Sequence, residues 1–388
     1  MWEDEAVRLT AELVRIPSVT GEEGELAGFL ADALSSAGLR VEIQEVEPGR
    51  PNVVAVLPGE EDRIGLVFLA HTDTVPPMGM EDPFSGRDDG ERIWGRGSCD
   101  QKAGLAASMA VLMEMASREG LERGLALAAV VDEEREHRGI FRLVESGLSA
   151  DWGLCTEPTG LRVAVGCKGT LPLRITVRGR AAHGSAPWAG INAISKMARV
   201  ISALEGEELP SVDIPGVGEV RASLCVGLIS GGRAYNVVPD ECSIWVDRRM
   251  IPGETPERVI SSVRALLERL RSEDPDLRAE VCVDRPDWSW EPVRRRGLMP
   301  CVVDPSEPIV EAVSRAHESA AGSRSRLWFS SGYFEMDFLV NDLSIPTVAY
   351  GPGDPELAHT EREHVGKDDV RTAYRVYRRV ALWASRPA

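Results

Sequence analysis

The chain has 388 residues, 43% of them hydrophobic and 27% charged; that is too apolar for a disordered chain and long enough to expect two domains. A formal net charge of −18, from 62 acidic against 44 basic residues, repels polyanions and excludes nucleic acid as a partner, while the lack of a long apolar run excludes a membrane partner. The cysteines, seven in number, are scattered with no C-x-x-C pair, which argues against a disulfide framework and a zinc ribbon; with the acidic start MWEDEAVRLT, unlike a signal peptide, they give a cytoplasmic expectation.

Helical spacing runs from Ala6 to Ile16, breaks at Pro17 and resumes from Glu22 to Gly38. Strand-like runs follow at 41–46, 52–58 and 65–71, then a helix at Ala103 to Met115 and a strand at 125–134. This alternation predicts an α/β domain with a mostly parallel central sheet, whose ligand sites lie beyond the carboxyl ends of its strands. From about Thr170 to Pro286 the order becomes βαββαβ, a ferredoxin-like unit. The later helices and strands resume the first pattern. The expected division is therefore 1–170 and 287–388 for one domain and 171–286 for an insertion.

Polar residues gather after the apolar strands. In HTD, His71 and Asp73 lie on the same face of a strand end, where a carboxylate can fix the tautomer of a metal-bound imidazole. The glycines of WGRGSCD allow a tight loop that thrusts Asp100 forward, and two carboxylate oxygens can bridge two ions. Asp132, Glu133 and Glu134 are adjacent acids whose repulsion is costly without a cation. Glu157 in TEPT and His359 in a Gly/Pro-rich loop are, taken singly, as compatible with structural roles.

The run HTDTVP, DPF, WGRGSCDQKAG, DEE, EPT, HGSAP, NVVPD and GPG with AHTEREHV resembles, over nearly the whole chain, the M20 metallopeptidase and amidohydrolase family. The resemblance implies two divalent cations, zinc with cobalt or manganese as alternatives: one held by His71 and Glu157, the other by Glu134 and His359, with Asp100 bridging through a cis Asp100–Gln101 peptide. Glu133 matches the family's catalytic acid/base, and Asp73 and Glu363 match supports of the histidine ligands. Arg249 matches a substrate-carboxylate ligand, Asn236 a residue near the site, and 332–337 part of the pocket wall. HGSAP implies a homodimer formed through the inserted unit, with His183 reaching the partner's active site.

Arg135, Glu136 and His137 depart from the small or apolar residues usual in relatives, and His137, His364 and His317 receive no role. The serines lack a G-x-S-x-G elbow, which sets aside a serine hydrolase. Glutamate at 157 resembles the family's deacylases and carboxypeptidases. The expected activity is removal of an acyl group from an N-acylated amino acid, as in acetylornithine deacetylase or succinyl-diaminopimelate desuccinylase. A carboxypeptidase or dipeptidase acting on short peptides is the alternative.

Overall fold

The apolar runs pair into a nine-stranded mixed sheet in a computed structural model that describes residues 2–118, 120–285 and 289–386. Its centre is parallel: Gly124–Val130, Ile64–His71, Trp152–Cys155 and Thr347–Ala349 lie side by side in that order. Antiparallel neighbours flank them, Arg50–Leu57 and Arg40–Glu47 on one side, Val163–Cys167 and Cys301–Val302 on the other, with Leu327–Ser330 running parallel to Val163–Cys167.

The central strands read as continuous apolar runs because both faces are covered. Phe68 and Leu127 point into one core with helices Trp2–Arg15, Gly24–Ser36, Ala103–Ala116, Pro308–Ala321 and Lys367–Ala384. Val67, Leu69 and Ala128 point into a second, packed by Arg138–Glu145 and Met336–Asn341.

The segment between Gly169 and Val283 builds a four-stranded antiparallel sheet in the order Ser223–Gly231, Glu241–Met250, Gly169–Arg178, Arg278–Val283. Helices Ala193–Glu205 and Pro256–Glu273 cover it, and Leu173, Ile175, Met197, Val263 and Leu266 form its own core. This is the ferredoxin-like order with one addition, a hairpin of Ser211–Ile214 with Gly218–Arg221. Ile214 and Val220 of that hairpin join the larger core rather than the small one. Four-residue strands around Pro215 carry too little alternation to be read from sequence. The expected hinge near 170 falls at the start of the Gly169–Arg178 strand, whereas Asp287 lies outside the described residues.

One expectation needs correction. The strand expected at 125–134 ends at Val130, because Asp132 turns the chain with φ 71° and pairs with Arg50 at 2.7 Å. Glu133 and Glu134 therefore occupy a turn beyond the strand rather than its last positions.

Candidate active site

The four parallel central strands end on one edge of the sheet, and the loops leaving that edge carry the candidate ligands. His71 closes its strand, Glu133 and Glu134 follow Gly124–Val130, Glu157 follows Trp152–Cys155, and His359 lies in the loop after Thr347–Ala349. Close backbone approach holds two of these loops together: a Cβ on Gly351 would stand 2.4 Å from the carbonyl oxygens of Thr156 and Glu157, so only glycine fits there.

Asp100 arrives from the loop preceding Ala103–Ala116, through a cis Asp100–Gln101 peptide. That loop is fastened at several points. Glu363 accepts the backbone N–H groups of Cys99 at 3.0 Å and Asp100 at 3.1 Å and pairs with buried Arg96. The Lys102 ammonium donates to the carbonyls of Leu13 at 3.0 Å and Ile16 at 2.7 Å. Glu363 thus contacts the Asp100 loop rather than a histidine, contrary to the expected support of a ligand imidazole.

The central geometry is a carboxylate shared by two imidazoles. Asp100 Oδ1 lies 3.1 Å from His71 Nε2, and Oδ2 lies 3.3 Å from His359 Nε2. Glu134 Oε1 stands 2.9 Å from His359 Nε2 and Glu157 Oε1 4.0 Å from His71 Nε2. His71, Asp100 and Glu134 offer ligand atoms all within 4.8 Å of one another. His71 Nδ1 donates to the backbone carbonyl of Asp73 at 2.9 Å, which turns Nε2 toward the other ligands.

Asp73 does more than its spacing implied. Its carboxylate stands 3.6 Å from His71 Nδ1, within ion-pair range. It also accepts from the backbone N–H of Glu133 at 3.0 Å, that of Glu134 at 3.1 Å, and the Thr20 hydroxyl at 2.8 Å. The carboxylate pins the glutamate turn while the backbone carbonyl of the same residue bonds His71.

Burial pushes the carboxyls of Glu133, Glu134 and Glu157 above their ordinary range, reinforced by neighbouring acids. For Asp100, burial works in the same direction, but hydrogen bonds with His359 and His71 hold it low. The same bonds to Asp100 and Glu134 raise His359 to about 10. Crowded, partly desolvated acids beside inward-facing imidazole nitrogens form a donor set of the kind that binds divalent cations with mixed nitrogen and oxygen ligands. The residues present fit two such ions.

Glu133, Glu134, Asp100, Glu157 and His359 line a cleft of about 1170 Å³ that extends to the inserted unit. Arg249 lines it too and is paired with Asp247 at 3.0 Å. Of the expected wall 332–337, Gly332, Tyr333 and Phe334 line the cleft and Glu335, Met336 and Asp337 do not. Asn236 and His183 do not reach this cleft. They sit together on the inserted unit, where Gly184 N–H donates to the Asn236 carbonyl at 2.7 Å, and both are exposed.

The unassigned histidines take structural partners. His137 bonds Glu335 at 2.9 Å and burial drives its pKa down to about 3. His317 bonds the Tyr350 hydroxyl at 2.7 Å, and His364 bonds the Arg362 carbonyl at 2.7 Å while resting against Trp94. The unusual Glu136 accepts from the Ser289 hydroxyl at 2.9 Å and from Trp290 N–H at 2.8 Å. It therefore ties the catalytic turn to the chain returning from the insertion. Gln101 was missed by sequence reasoning: it donates to Glu157 at 2.7 Å and accepts from Thr156 at 2.6 Å. Its place beside Asp100 was the available signal.

Peptidase family M20/M25/M40 matches residues 67–383. The chain is 29% identical over 376 residues to a Mycobacterium tuberculosis protein named as a candidate succinyl-diaminopimelate desuccinylase, covering 96% of this chain and 97% of that one. It is 29% identical over 355 residues to acetylornithine deacetylase of Myxococcus xanthus, covering 89% and 86%. Its fold matches the crystal structure of a Staphylococcus aureus tripeptidase with a TM-score of 0.80 at 24% identity, covering 99% of each chain. No helix among the described residues is long and apolar enough to cross a membrane. The chain belongs to Peptidase family M20/M25/M40 and is a hydrolase of amide bonds.

Proposed function

We propose that this protein is a di-zinc amidohydrolase that removes the acyl group from an N-acylated amino acid, in the manner of an acetylornithine deacetylase or succinyl-diaminopimelate desuccinylase. The observation that carries the reading is Asp100, with one oxygen toward His71 and the other toward His359. His71 and Glu157 would hold one ion, Glu134 and His359 the other, and Asp100 both. Such ions supply Lewis acidity toward the substrate carbonyl and toward water.

Glu133 faces the cleft from a turn fixed by Asp73. It takes the proton of the attacking water and returns it to the departing nitrogen as the C–N bond breaks, giving a carboxylic acid and a free amine. Arg249 gives a planar guanidinium suited to the α-carboxylate of the amino acid. Asn236 and His183 would serve a partner's cleft, in a homodimer formed through the inserted unit. The unpaired thiols support a cytoplasmic setting.

The test pairs metal analysis with a substrate screen. Two equivalents of metal and turnover of N-acetylornithine or N-succinyl-diaminopimelate, with little cleavage of dipeptides, support the reading. Cleavage of dipeptides alone would move the assignment to a carboxypeptidase or dipeptidase.

A further inference from the structure

The wall of the cleft carries a cation that the hydrolytic machinery above does not use. Arg162 and Trp328 both line the cleft, and the Arg162 guanidinium carbon lies 3.9 Å from the centroid of the Trp328 ring. Both side chains are half-buried. Arg162 Nε donates to the Thr159 carbonyl at 2.8 Å. Trp328 is held in turn, since it stands in register with Ala164 on the neighbouring strand and its ring packs 6.4 Å from that of Phe334.

The guanidinium is thus anchored by one nitrogen and one face. Its two terminal nitrogens have no carboxylate partner among the described residues, whereas Arg249 is already engaged by Asp247. An arginine lying flat on an aromatic ring, with its fork open, is preorganised for bidentate binding of a carboxylate. Leaving such a cation half-desolvated without an acid costs stability, which a bound anion would recover.

We infer that Arg162, laid on Trp328, is a second carboxylate-recognition point of the cleft, selecting substrates that carry an anionic group beyond the α-carboxylate. This rests on the deacylase reading and narrows it. The preferred acyl chain ends in a carboxylate, as a succinyl group does and an acetyl group does not.

The experiment compares metal-loaded wild type with Arg162→Gln and Arg162→Lys on matched pairs. N-succinyl-leucine against N-acetyl-leucine reads a carboxylate on the acyl side; N-acetylglutamate against N-acetyl-leucine reads one on the amino-acid side. The ratio of kcat/KM within a pair isolates recognition, because a folding defect lowers both members together. The expected result is a fall in the succinyl-to-acetyl ratio of about 10- to 100-fold in Arg162→Gln, the range for one charge-assisted bidentate contact. A smaller fall is expected in Arg162→Lys, which keeps the charge and loses the fork. A fall confined to the glutamate-to-leucine ratio keeps the recognition point and moves the anion to the amino-acid side. Both ratios unchanged in Arg162→Gln would overturn the inference. If the wild type hydrolyses none of these compounds, the deacylase reading fails separately, and the same ratio is read on glycyl-glutamate against glycyl-leucine.

Discussion

Replacing Asp73 by asparagine separates two jobs that one residue performs. Its carboxylate accepts three hydrogen bonds, Oδ1 from Glu133 N–H and Oδ2 from Glu134 N–H and the Thr20 hydroxyl. Asparagine keeps one oxygen and sets an NH2 group in place of the other. In its better orientation it preserves the two bonds on Oδ2 and turns its amide toward the Glu133 N–H, leaving that donor unpaired. The expected loss is about 1 to 3 kcal/mol of stability, the penalty of one unmade bond to a charged acceptor. Urea unfolding followed by circular dichroism, with the metals present, measures it. The turn would shift with it, and a displacement near 1 Å of a catalytic group can cost about 100-fold in turnover. Because the Asp73 carbonyl bonds His71 at 2.9 Å while the carboxylate stands 3.6 Å away, metal content should remain near that of the wild type. An Asp73→Asn protein of wild-type stability that has lost its metal would refute this division of labour and return the carboxylate to His71.

Glu133→Gln keeps shape and should keep both metals, since among the described residues no hydrogen bond of the Glu133 side chain holds the site together, while kcat falls by at least about 100-fold, the usual contribution of a proton shuttle. Turnover within a few-fold of wild type would remove Glu133 from the mechanism. Asp100→Ala should instead reduce bound metal below two equivalents by elemental analysis, because one carboxylate faces both imidazoles and its loss leaves the two cations unscreened from each other. Full metal occupancy in that variant would contradict a bridging Asp100.

The residues that the sequence made visible are those whose place follows from a strand end. His71 closes an unbroken apolar run buried on both faces, and Glu157 and His359 leave neighbouring parallel strands, so motif order and strand order carry the same information. What could not be read depends on backbone direction or on distant pairing. The period-two argument put the Asp73 carboxylate beside His71, where it stands 3.6 Å away, but the 2.9 Å bond goes to the Asp73 backbone carbonyl, and carbonyl direction leaves no trace in residue type. Glu335 meets His137 across 198 positions and Glu136 meets Trp290 across 154; neither acid stands in a pattern that announces its partner. The hairpin at Ser211–Ile214 was hidden for another reason. It is too short for periodicity, and it packs on the larger core from within a segment whose rhythm belongs to the small unit.

The position of His183 leads to the remaining prediction. Within its own chain this imidazole is exposed, bonded through Nδ1 to the hydroxyl of Ser185 at 2.7 Å and to its backbone N–H at 3.2 Å, and absent from the cleft lining. The inserted unit also shows apolar surface that a lone subunit would leave in water: Trp188 is 81% exposed, Tyr235 103%, Leu228 60% and Ile229 58%. Leu228 and Ile229 belong to Ser223–Gly231, an edge strand whose outer side has no partner among the described strands. Edges of this kind invite pairing with another chain, and a twofold mate would cover strand and apolar patch together. In such a dimer His183 of each subunit can donate to the oxyanion developing in the other's cleft, a contribution of about 3 kcal/mol to the barrier. His183→Ala and Glu133→Gln proteins should each be nearly inactive. Mixed under conditions where subunits exchange, they should recover activity, because one cleft of each heterodimer then has both groups intact. The recovery should approach about a quarter of wild type at equal mixing, since half of the dimers are mixed and each has one working site of two. Exchange demonstrated by mass difference without any recovery would show that His183 does not act across the interface.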